Sequence, residues 1–139
     1  MSKLERFGVS MEKELLASFD AMIEARGYRS RSEAIRDLVR QELVKQEWSD
    51  PKAEVVGMIT IVYEHHQHEL VNTLADLQHR HHGSILCSTH VHLDEHNCLE
   101  VVIARGSSVM LKQIADALIS TRGVKHGRLV STTTGARLV

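Results

Sequence analysis

Two histidines and a cysteine lie close together in the segment STHVHLDEHNC, which covers residues 88–98. Side chains along a β-strand alternate between its faces, so His90 and His92 share a face. The polar residues between His92 and Cys98 predict a tight turn, and a hairpin that pairs these two residues also pairs His90 with Glu100. Imidazole and thiolate groups are good ligands for zinc, nickel and copper and poor ones for magnesium and calcium. The segment therefore predicts a metal site, with a polar hairpin face and an ordinary surface thiol as the alternative.

The same register predicts which side of the hairpin is buried. The side opposite to the histidines carries a continuous apolar surface, and we expect two helices to cover it. A slip of one residue would bury the polar set instead. Cys87 falls on the apolar side and is expected to be a small core residue. The apolar set consists of Val91, Leu93, Leu99, Val101 and Ile103.

The elements that position this hairpin begin at residue 54. The periodicity of apolar residues predicts strands and helices in the order β-α-β-β-α-β, which is the ferredoxin-like split motif. The chain is therefore expected to be α+β. The predicted strands cover residues 54–64, 84–93, 97–106 and 126–134, and the predicted helices cover residues 68–80 and 108–121.

The first fifty residues predict a different arrangement, namely a strand followed by two helices. Residues 5–10 alternate between polar and apolar, and helical spacing covers residues 11–26 and 30–48, with Ser30 or Ser32 as the cap of the second helix. A lone strand is not stable in water, so we expect it to pair with another chain. Proline in the segment SDPKA predicts a linker at 49–53. The expected buried stripe of the second helix is Ile35, Leu38, Val39 and Leu43.

Composition supports two segments with different functions. The net charge of the 139 residues is −1, which gives no bulk attraction to nucleic acid, yet residues 26–40 hold five arginines against two acidic residues. All ten histidines lie between His65 and His126. Two cysteines do not make a disulfide framework, and the sequence has neither a signal peptide nor a membrane span, so we expect a cytoplasmic protein with no membrane partner.

The motifs RFGVS, GYRSRSEAIRDLVR, VYEHHQHEL, LQHRHHG, THVHLDEHNCLEVVIARG and RGVKHGRL together resemble the nickel-responsive transcriptional regulators, the NikR family. The resemblance covers nearly the whole chain in the right order. It implies a ribbon-helix-helix DNA-binding domain at residues 1–48, which forms an intertwined dimer, and the linker at 49–53. It also implies an ACT-like domain at 54–139 that binds one Ni²⁺ per subunit and forms a homotetramer, a dimer of dimers.

The resemblance also implies a ligand set. His90, His92 and Cys98 of one subunit would be joined by His79 of the adjacent subunit in a planar site. Glu100 would hold a metal-bound imidazole from outside the coordination shell. The residues alone leave nickel, copper and zinc open, and only the resemblance selects nickel. The pair His65 and His66 is a candidate accessory metal site, with a solvated loop as the alternative.

For the first segment, the resemblance implies that a two-stranded ribbon from two chains enters the major groove of operator DNA. Phe7 and Val9 would face the helices. The residues expected to face DNA bases are Arg6, Gly8 and Ser10, and Gly8 stands where the family often has a hydroxyl residue. Arg29, Arg31 and Ser32 are expected near phosphates at the start of the second helix. The carboxylates of Glu33 and Asp37 are candidates for a secondary cation, although each could instead pair with Arg36 or Arg40 three positions on.

These interpretations together predict a nickel-dependent transcriptional regulator, for example a repressor, that controls nickel uptake or nickel-enzyme genes. The first alternative is a metalloenzyme whose three ligands leave a position open for water. Against it, no general base other than Glu100 accompanies the ligands, so we expect no enzyme activity. The second alternative is an ACT-type regulator that binds a small ligand and whose histidines are incidental.

Overall fold

The computed structural model describes residues 3–139. The chain divides into two compact units, one that runs to Leu43 and includes Arg137–Val139, and one that covers Val44–Ala136. The helices are α1 (Lys13–Ala25), α2 (Arg31–Ser49), α3 (His68–Arg80) and α4 (Ser108–Ile119). The strands are β1 (Glu54–Glu64), β2 (Ile85–His92), β3 (Asn97–Ser107) and β4 (Val124–Thr132). Among the described residues, no helix is both long and apolar enough to cross a membrane.

In the first unit, α1 and α2 are separated by a short turn. Gly27 has a φ of +78°, a left-handed conformation that suits glycine at a helix end. The Ser30 hydroxyl accepts a hydrogen bond from the backbone N–H of Glu33 at 3.2 Å and caps α2, as one of the two predicted caps. Among the described residues of the first unit, the buried apolar residues are Ile23 and Ala34.

The N-terminal segment differs from the strand predicted at residues 5–10. In the single chain these residues belong to neither a strand nor a helix, and Phe7 and Val9 are 76% and 62% exposed. The stripe predicted to be buried on α2 is also largely open, since Leu38, Val39 and Leu43 are exposed. Both departures have the same origin, which is that a single chain is described. A lone strand has no partner for its backbone hydrogen bonds, and one chain cannot cover the apolar side chains of the N-terminal segment and of α2.

The second unit is a four-stranded antiparallel sheet with α3 and α4 on one face. The strand order β2-β3-β1-β4 is that of the ferredoxin-like β-α-β-β-α-β motif. The core lies between the sheet and the helices, where Ile59 and Ile61 of β1 pack with Leu74 of α3 and Ile114 of α4. Trp48, near the end of α2, is buried in a second cluster of this unit, and its indole N–H donates to the Thr132 backbone oxygen at 2.8 Å.

The prediction of the helix-covered face was wrong. The helices cover the side of the sheet that carries Cys98 and Glu100, both of which are buried. The apolar residues predicted to face the helices lie on the open side of the sheet instead. The reason is that β1 is apolar on both sides, so alternation alone does not decide which side the helices take. Of the open-side residues, Val91 and Leu93 are exposed, and Leu99, Val101 and Ile103 are half-buried.

Cys87 is not the core residue that the sequence predicted. It pairs with Ile103 on the open side of the sheet, next to an irregularity between Ile85 and Cys87, and its side chain is exposed. Because α3 and α4 pack on the other face, no helix of residues 3–139 covers the apolar side of the hairpin, and Cys87 lies on that side.

Candidate metal centre and DNA-binding surface

The β2–β3 hairpin has the predicted register. His92 pairs with Cys98 and His90 pairs with Glu100. The turn is held by Asp94, whose carboxylate accepts hydrogen bonds from the backbone N–H groups of His96 and Asn97 at 2.8 and 2.7 Å and from the Asn97 side chain at 2.8 Å. These bonds, that from the Asn97 side chain foremost, lower the pKa of Asp94 to about 2. The turn therefore fixes where Cys98 lies relative to the histidines.

Two of the predicted ligands, Cys98 and His90, have side chains in contact. The Cys98 Sγ is 3.8 Å from the His90 Nδ1, and the thiol is buried whereas the imidazole is exposed. An ion with bonds of about 2.3 Å to sulfur and about 2.0 Å to nitrogen can contact two atoms at this separation. The donor set and its spacing therefore fit a metal that accepts thiolate and imidazole, which would be held from the exposed side of His90.

Glu100 lies behind His90 and is 2% exposed. The Tyr63 hydroxyl donates to its Oε2 at 2.8 Å, and the Gln78 amide donates to its Oε1 at 2.6 Å. The His90 Nε2 lies 3.4 Å from the same Oε1. The His90 Nδ1 lies 3.2 Å from the Tyr63 hydroxyl oxygen and 3.8 Å from the Cys98 Sγ, so both groups face the same ring nitrogen. Burial, together with the hydrogen bond to Glu100, raises the pKa of Tyr63, so its hydroxyl stays a donor.

Tyr63 and Gln78 are residues of this site that the sequence analysis missed. Tyr63 lies on β1 in the row of buried residues that includes Ile59 and Ile61. A hydroxyl group in an otherwise apolar row was the feature of the sequence that could have identified it. Gln78 directly precedes His79 in α3, and only its contact with Glu100 distinguishes it from the other polar residues of that helix.

His79 and His92 lie near this centre but do not complete it within the chain. His79, close to the end of α3, is exposed and lines a cleft of about 360 Å³ together with His82, His90 and Glu100. The His92 ring is 5.0 Å, centroid to centroid, from that of His65. Within residues 3–139, no three or more His, Cys, Asp or Glu side chains are arranged to hold one metal ion. Among the described residues, Cys98 and His90 are thus in contact, whereas His79 and His92 do not join them in a set of three or more metal ligands.

The predicted accessory pair lies at the junction of β1 and α3. The His65 and His66 rings are 4.2 Å apart, and the His66 ring is 5.7 Å from that of His96. The His66 Nε2 is within 2.9 Å of the Glu95 backbone oxygen, whereas the buried His65 Nδ1 has no hydrogen-bond partner among the described residues. The pair therefore belongs to a row of neighbouring histidine rings that includes His92 and His96. That His65 and His66 form an accessory metal site stays a prediction.

The predicted base-reading residues lie in the unpaired N-terminal segment. Arg6, Gly8 and Ser10 are all exposed, and a Cβ added at Gly8 would meet no atom within 4 Å. Their alternation with Phe7 and Val9 is seen in the sequence but not as a strand in the structure, because a two-stranded ribbon needs a second chain.

At the start of α2, one predicted phosphate contact is already engaged. The Arg31 guanidinium binds both carboxylate oxygens of Asp20, at 2.8 and 2.7 Å. This hydrogen bonding lowers the pKa of Asp20 and raises that of Arg31. Arg29 and Ser32 are exposed at the same helix end. A phosphate would therefore have to compete with Asp20 for Arg31.

The candidate secondary cation ligands also have partners inside the chain. Glu33 accepts a hydrogen bond from the Arg29 backbone N–H at 3.3 Å. Asp37 accepts one from the Tyr28 hydroxyl at 3.0 Å, which raises the pKa of Tyr28, and pairs with Arg40 at 2.9 Å. The alternative pairing at i,i+3 spacing is thus present for Asp37.

Two family models match the chain. A ribbon-helix-helix model, copG family, matches residues 5–46, and the model of the NikR C-terminal nickel binding domain matches residues 56–132. Together with the observed elements, they define a DNA-binding regulator of the ribbon-helix-helix class with a metal-binding domain after it, and they confirm the predicted α+β fold class.

Relatives match over the full length. The protein from Solibacter usitatus is 54% identical over 138 residues and that from Thermococcus onnurineus is 55% identical over 137, each match covering 99% of both chains. Both are named as candidate nickel-responsive regulators. This chain therefore belongs to the nickel-responsive regulator family, and the family consists of regulators rather than enzymes.

A solved structure of an uncharacterized protein from Thermotoga maritima also resembles the chain. It has a TM-score of 0.51 and 16% sequence identity, and the match covers 56% of this chain and 96% of that one. At this identity the likeness concerns the fold alone.

Proposed function

We propose that the protein is a nickel-dependent regulator that binds operator DNA in a sequence-specific manner and controls nickel uptake or nickel-enzyme genes, for example as a repressor in the cytoplasm. The observation that carries the proposal is the pairing of a buried thiol with an exposed imidazole, Cys98 and His90, at 3.8 Å. This donor pair occurs in a chain that also has a ribbon-helix-helix segment. Residues 1–48 would read DNA, 49–53 would link, and 54–139 would sense the metal as an ACT-like domain.

One Ni²⁺ per subunit would be held by His90, His92 and Cys98 with His79 of an adjacent subunit. The incomplete ligand set supports a shared site, because among the described residues His79 and His92 do not join Cys98 and His90 in a set of three or more metal ligands. A homotetramer, as a dimer of dimers, would supply the missing imidazole. The open apolar side of the sheet, with Val91 and Leu93 exposed, supports association of subunits through that side.

The proposed DNA contacts divide into two groups. Arg6, Gly8 and Ser10 would face base edges from a ribbon formed by two chains, and the exposure of Phe7 and Val9 in the single chain supports that pairing. Arg29, Arg31 and Ser32 would bind phosphates at the capped N-terminus of α2. The candidate secondary cation site at Glu33 and Asp37 and the accessory metal site at His65 and His66 remain parts of this proposal.

The switch follows from a difference in affinity. Nickel acts only if it binds the DNA-competent arrangement better than the others, and a shift from 1:99 to 99:1 needs a preference of about 5.5 kcal/mol. The site offers a physical source for it, since a ligand shared between subunits is in place only in some arrangements of those subunits.

The test is DNA binding by the full chain in nickel, zinc and copper and with a chelator. Fragments of the promoter regions of nickel-uptake and nickel-enzyme genes serve as the probe. We expect nickel to tighten specific binding strongly and His79→Ala to remove the nickel effect without weakening binding in chelator. His126→Ala is the control, because this histidine lies on β4 and is not among the proposed ligands. Equal specific affinity with and without nickel would refute the switch.

A further inference from the structure

Asn97, the residue before the proposed ligand Cys98, is hydrogen-bonded through every polar group that it has. Its backbone N–H and its side-chain amide N–H donate to the carboxylate of Asp94 at 2.7 and 2.8 Å, and its backbone oxygen accepts from the Leu93 N–H at 2.9 Å. The remaining group, the amide oxygen, accepts from the Lys125 Nζ at 2.6 Å. Asn97 is therefore held from inside the hairpin turn and also from a strand outside the hairpin.

Lys125 reaches Asn97 from β4, which is separated from β3 by the central strand β1. Neighbouring strands lie about 4.8 Å apart, so β4 and β3 lie roughly 10 Å apart and only a long side chain can join them. The residues on either side of Lys125 pair with consecutive residues of β1, Tyr63 and Val62, which leaves Lys125 without a partner in the register of the sheet. An extra residue of this kind, a β-bulge, bends the strand and changes the direction of its side chain. The bulge therefore accounts for a lysine that crosses β1 near its end.

We propose that Lys125 is a positioning residue of the metal centre, which holds Cys98 in place next to His90 through Asn97. The inference rests on the proposed function and deepens it, because it names a residue that prepares the thiol for its ion. Lys125 itself is no ligand, since an ammonium group has three donors and no acceptor. Its effect on metal binding has to pass through the position of Cys98.

Cys98 lies where the ladder of the hairpin ends. The last pair of the β2–β3 register is His92 with Cys98, and β3 begins at Asn97. The end of a ladder opens more easily than its middle, because fewer neighbouring bonds hold it. Opening of this end moves the Cys98 Sγ away from the His90 Nδ1, which lies 3.8 Å from it in the closed hairpin. An opened molecule must close before both groups can bind one ion, so a bond that keeps the end closed raises the affinity.

The charge of Lys125 predicts the opposite effect. A positive charge near the site repels a dication, so its removal would by itself strengthen nickel binding. Weaker nickel binding after removal of the ammonium group therefore has to come from the position of the thiol. The sign of the effect separates the two roles of the side chain.

The experiment uses the full chain and compares two lysines. Lys125→Met and Lys112→Met remove the same ammonium group, and Lys112 is a matched control because it is also exposed and donates to a backbone oxygen, that of Trp48, at 3.3 Å. Lys125→Arg keeps a cationic donor. Asn97→Ala, alone and together with Lys125→Met, completes a double-mutant cycle. Nickel affinity is read from titration of the thiolate charge-transfer band, and hydrogen exchange of the amides of residues 93–98 is measured in chelator.

We expect Lys125→Met to weaken nickel binding about 3- to 10-fold, which is less than the loss of about 10- to 100-fold typical of residues that contact a metal ligand directly. In chelator, amide exchange in residues 93–98 becomes faster. Lys125→Arg recovers most of the affinity, and Lys112→Met binds nickel as the wild type does. In the Asn97→Ala background, Lys125→Met has no further effect, because the contact through which it acts is already lost.

Unchanged or stronger nickel binding by Lys125→Met would overturn the proposal and leave the proposed function standing. The same holds if Lys112→Met loses as much affinity, or if Lys125→Met weakens binding further in the Asn97→Ala background. A wild-type protein without the charge-transfer band would instead overturn the proposed function, and the positioning role with it. If Lys125→Met fails to fold, Lys125→Gln, which is shorter and neutral, carries the same test.

Discussion

The two cysteines of the chain form a matched pair for testing the metal centre. Cys98 is buried, with its Sγ 3.8 Å from the His90 Nδ1, whereas Cys87 is exposed on the other side of the sheet. We expect Cys98→Ala to remove the nickel–thiolate charge-transfer band and Cys87→Ala to leave it unchanged. The difference isolates the position of the thiol, because residue type and substitution are the same.

The size of the effect follows from ligand linkage. A ligand that binds only the folded state, at 100 times its Kd, stabilises that state by about 2.7 kcal/mol. If loss of the thiolate raises the Kd 100-fold, the same nickel concentration stabilises Cys98→Ala by only about 0.4 kcal/mol. Without nickel, Cys98→Ala is expected to cost about 1 kcal/mol because a buried group is removed, and Cys87→Ala to stay within about 0.5 kcal/mol of the wild type.

The assay is urea unfolding at one fixed chain concentration, in chelator and in nickel, because association of subunits makes the midpoint depend on concentration. The reasoning is refuted if Cys98→Ala gains the full nickel stabilisation. It is equally refuted if Cys87→Ala loses that stabilisation while remaining folded.

Three further predictions concern the start of α2, the hairpin turn and the sheet. Asp20→Asn frees the Arg31 guanidinium to bind a DNA phosphate, so DNA affinity should rise. The slope of log K against log salt concentration, measured by anisotropy titrations, should steepen by up to about 0.9 per chain. An unchanged slope would contradict the role of Arg31. Asp94→Ala should lower the melting temperature above pH 4. Because the folded pKa of Asp94 is depressed to about 2, the difference from the wild type should shrink as pH falls from about 4 to about 2, and a constant difference would argue against this cause. Gly127→Ala would place a Cβ 2.5 Å from the Ile119 Cγ1, so denaturation should show a loss of about 1–3 kcal/mol, relieved by adding Ile119→Ala.

The sequence predicted the local elements of the second unit. The bounds of β1 and α3 agree with the predicted 54–64 and 68–80, because apolar periodicity distinguishes strand from helix over ten residues or more. The hairpin register also followed, since the turn residues and the alternation of side chains allow few other pairings. The side-by-side position of Cys98 and His90 is a direct consequence of that register.

The tertiary structure decided which side of the sheet is buried. Alternation places Cys98 and Glu100 on one side and Leu99 and Val101 on the other, but it gives no preference when the neighbouring strand β1 is apolar on both sides. That choice was made by the packing of α3 and α4, which is not a local property. The network around Glu100 has the same origin, since Tyr63 and Gln78 are 37 and 22 positions away in the chain and meet only after the helices pack on the sheet. Sequence periodicity thus determined which residues share a face, and long-range packing determined what that face touches.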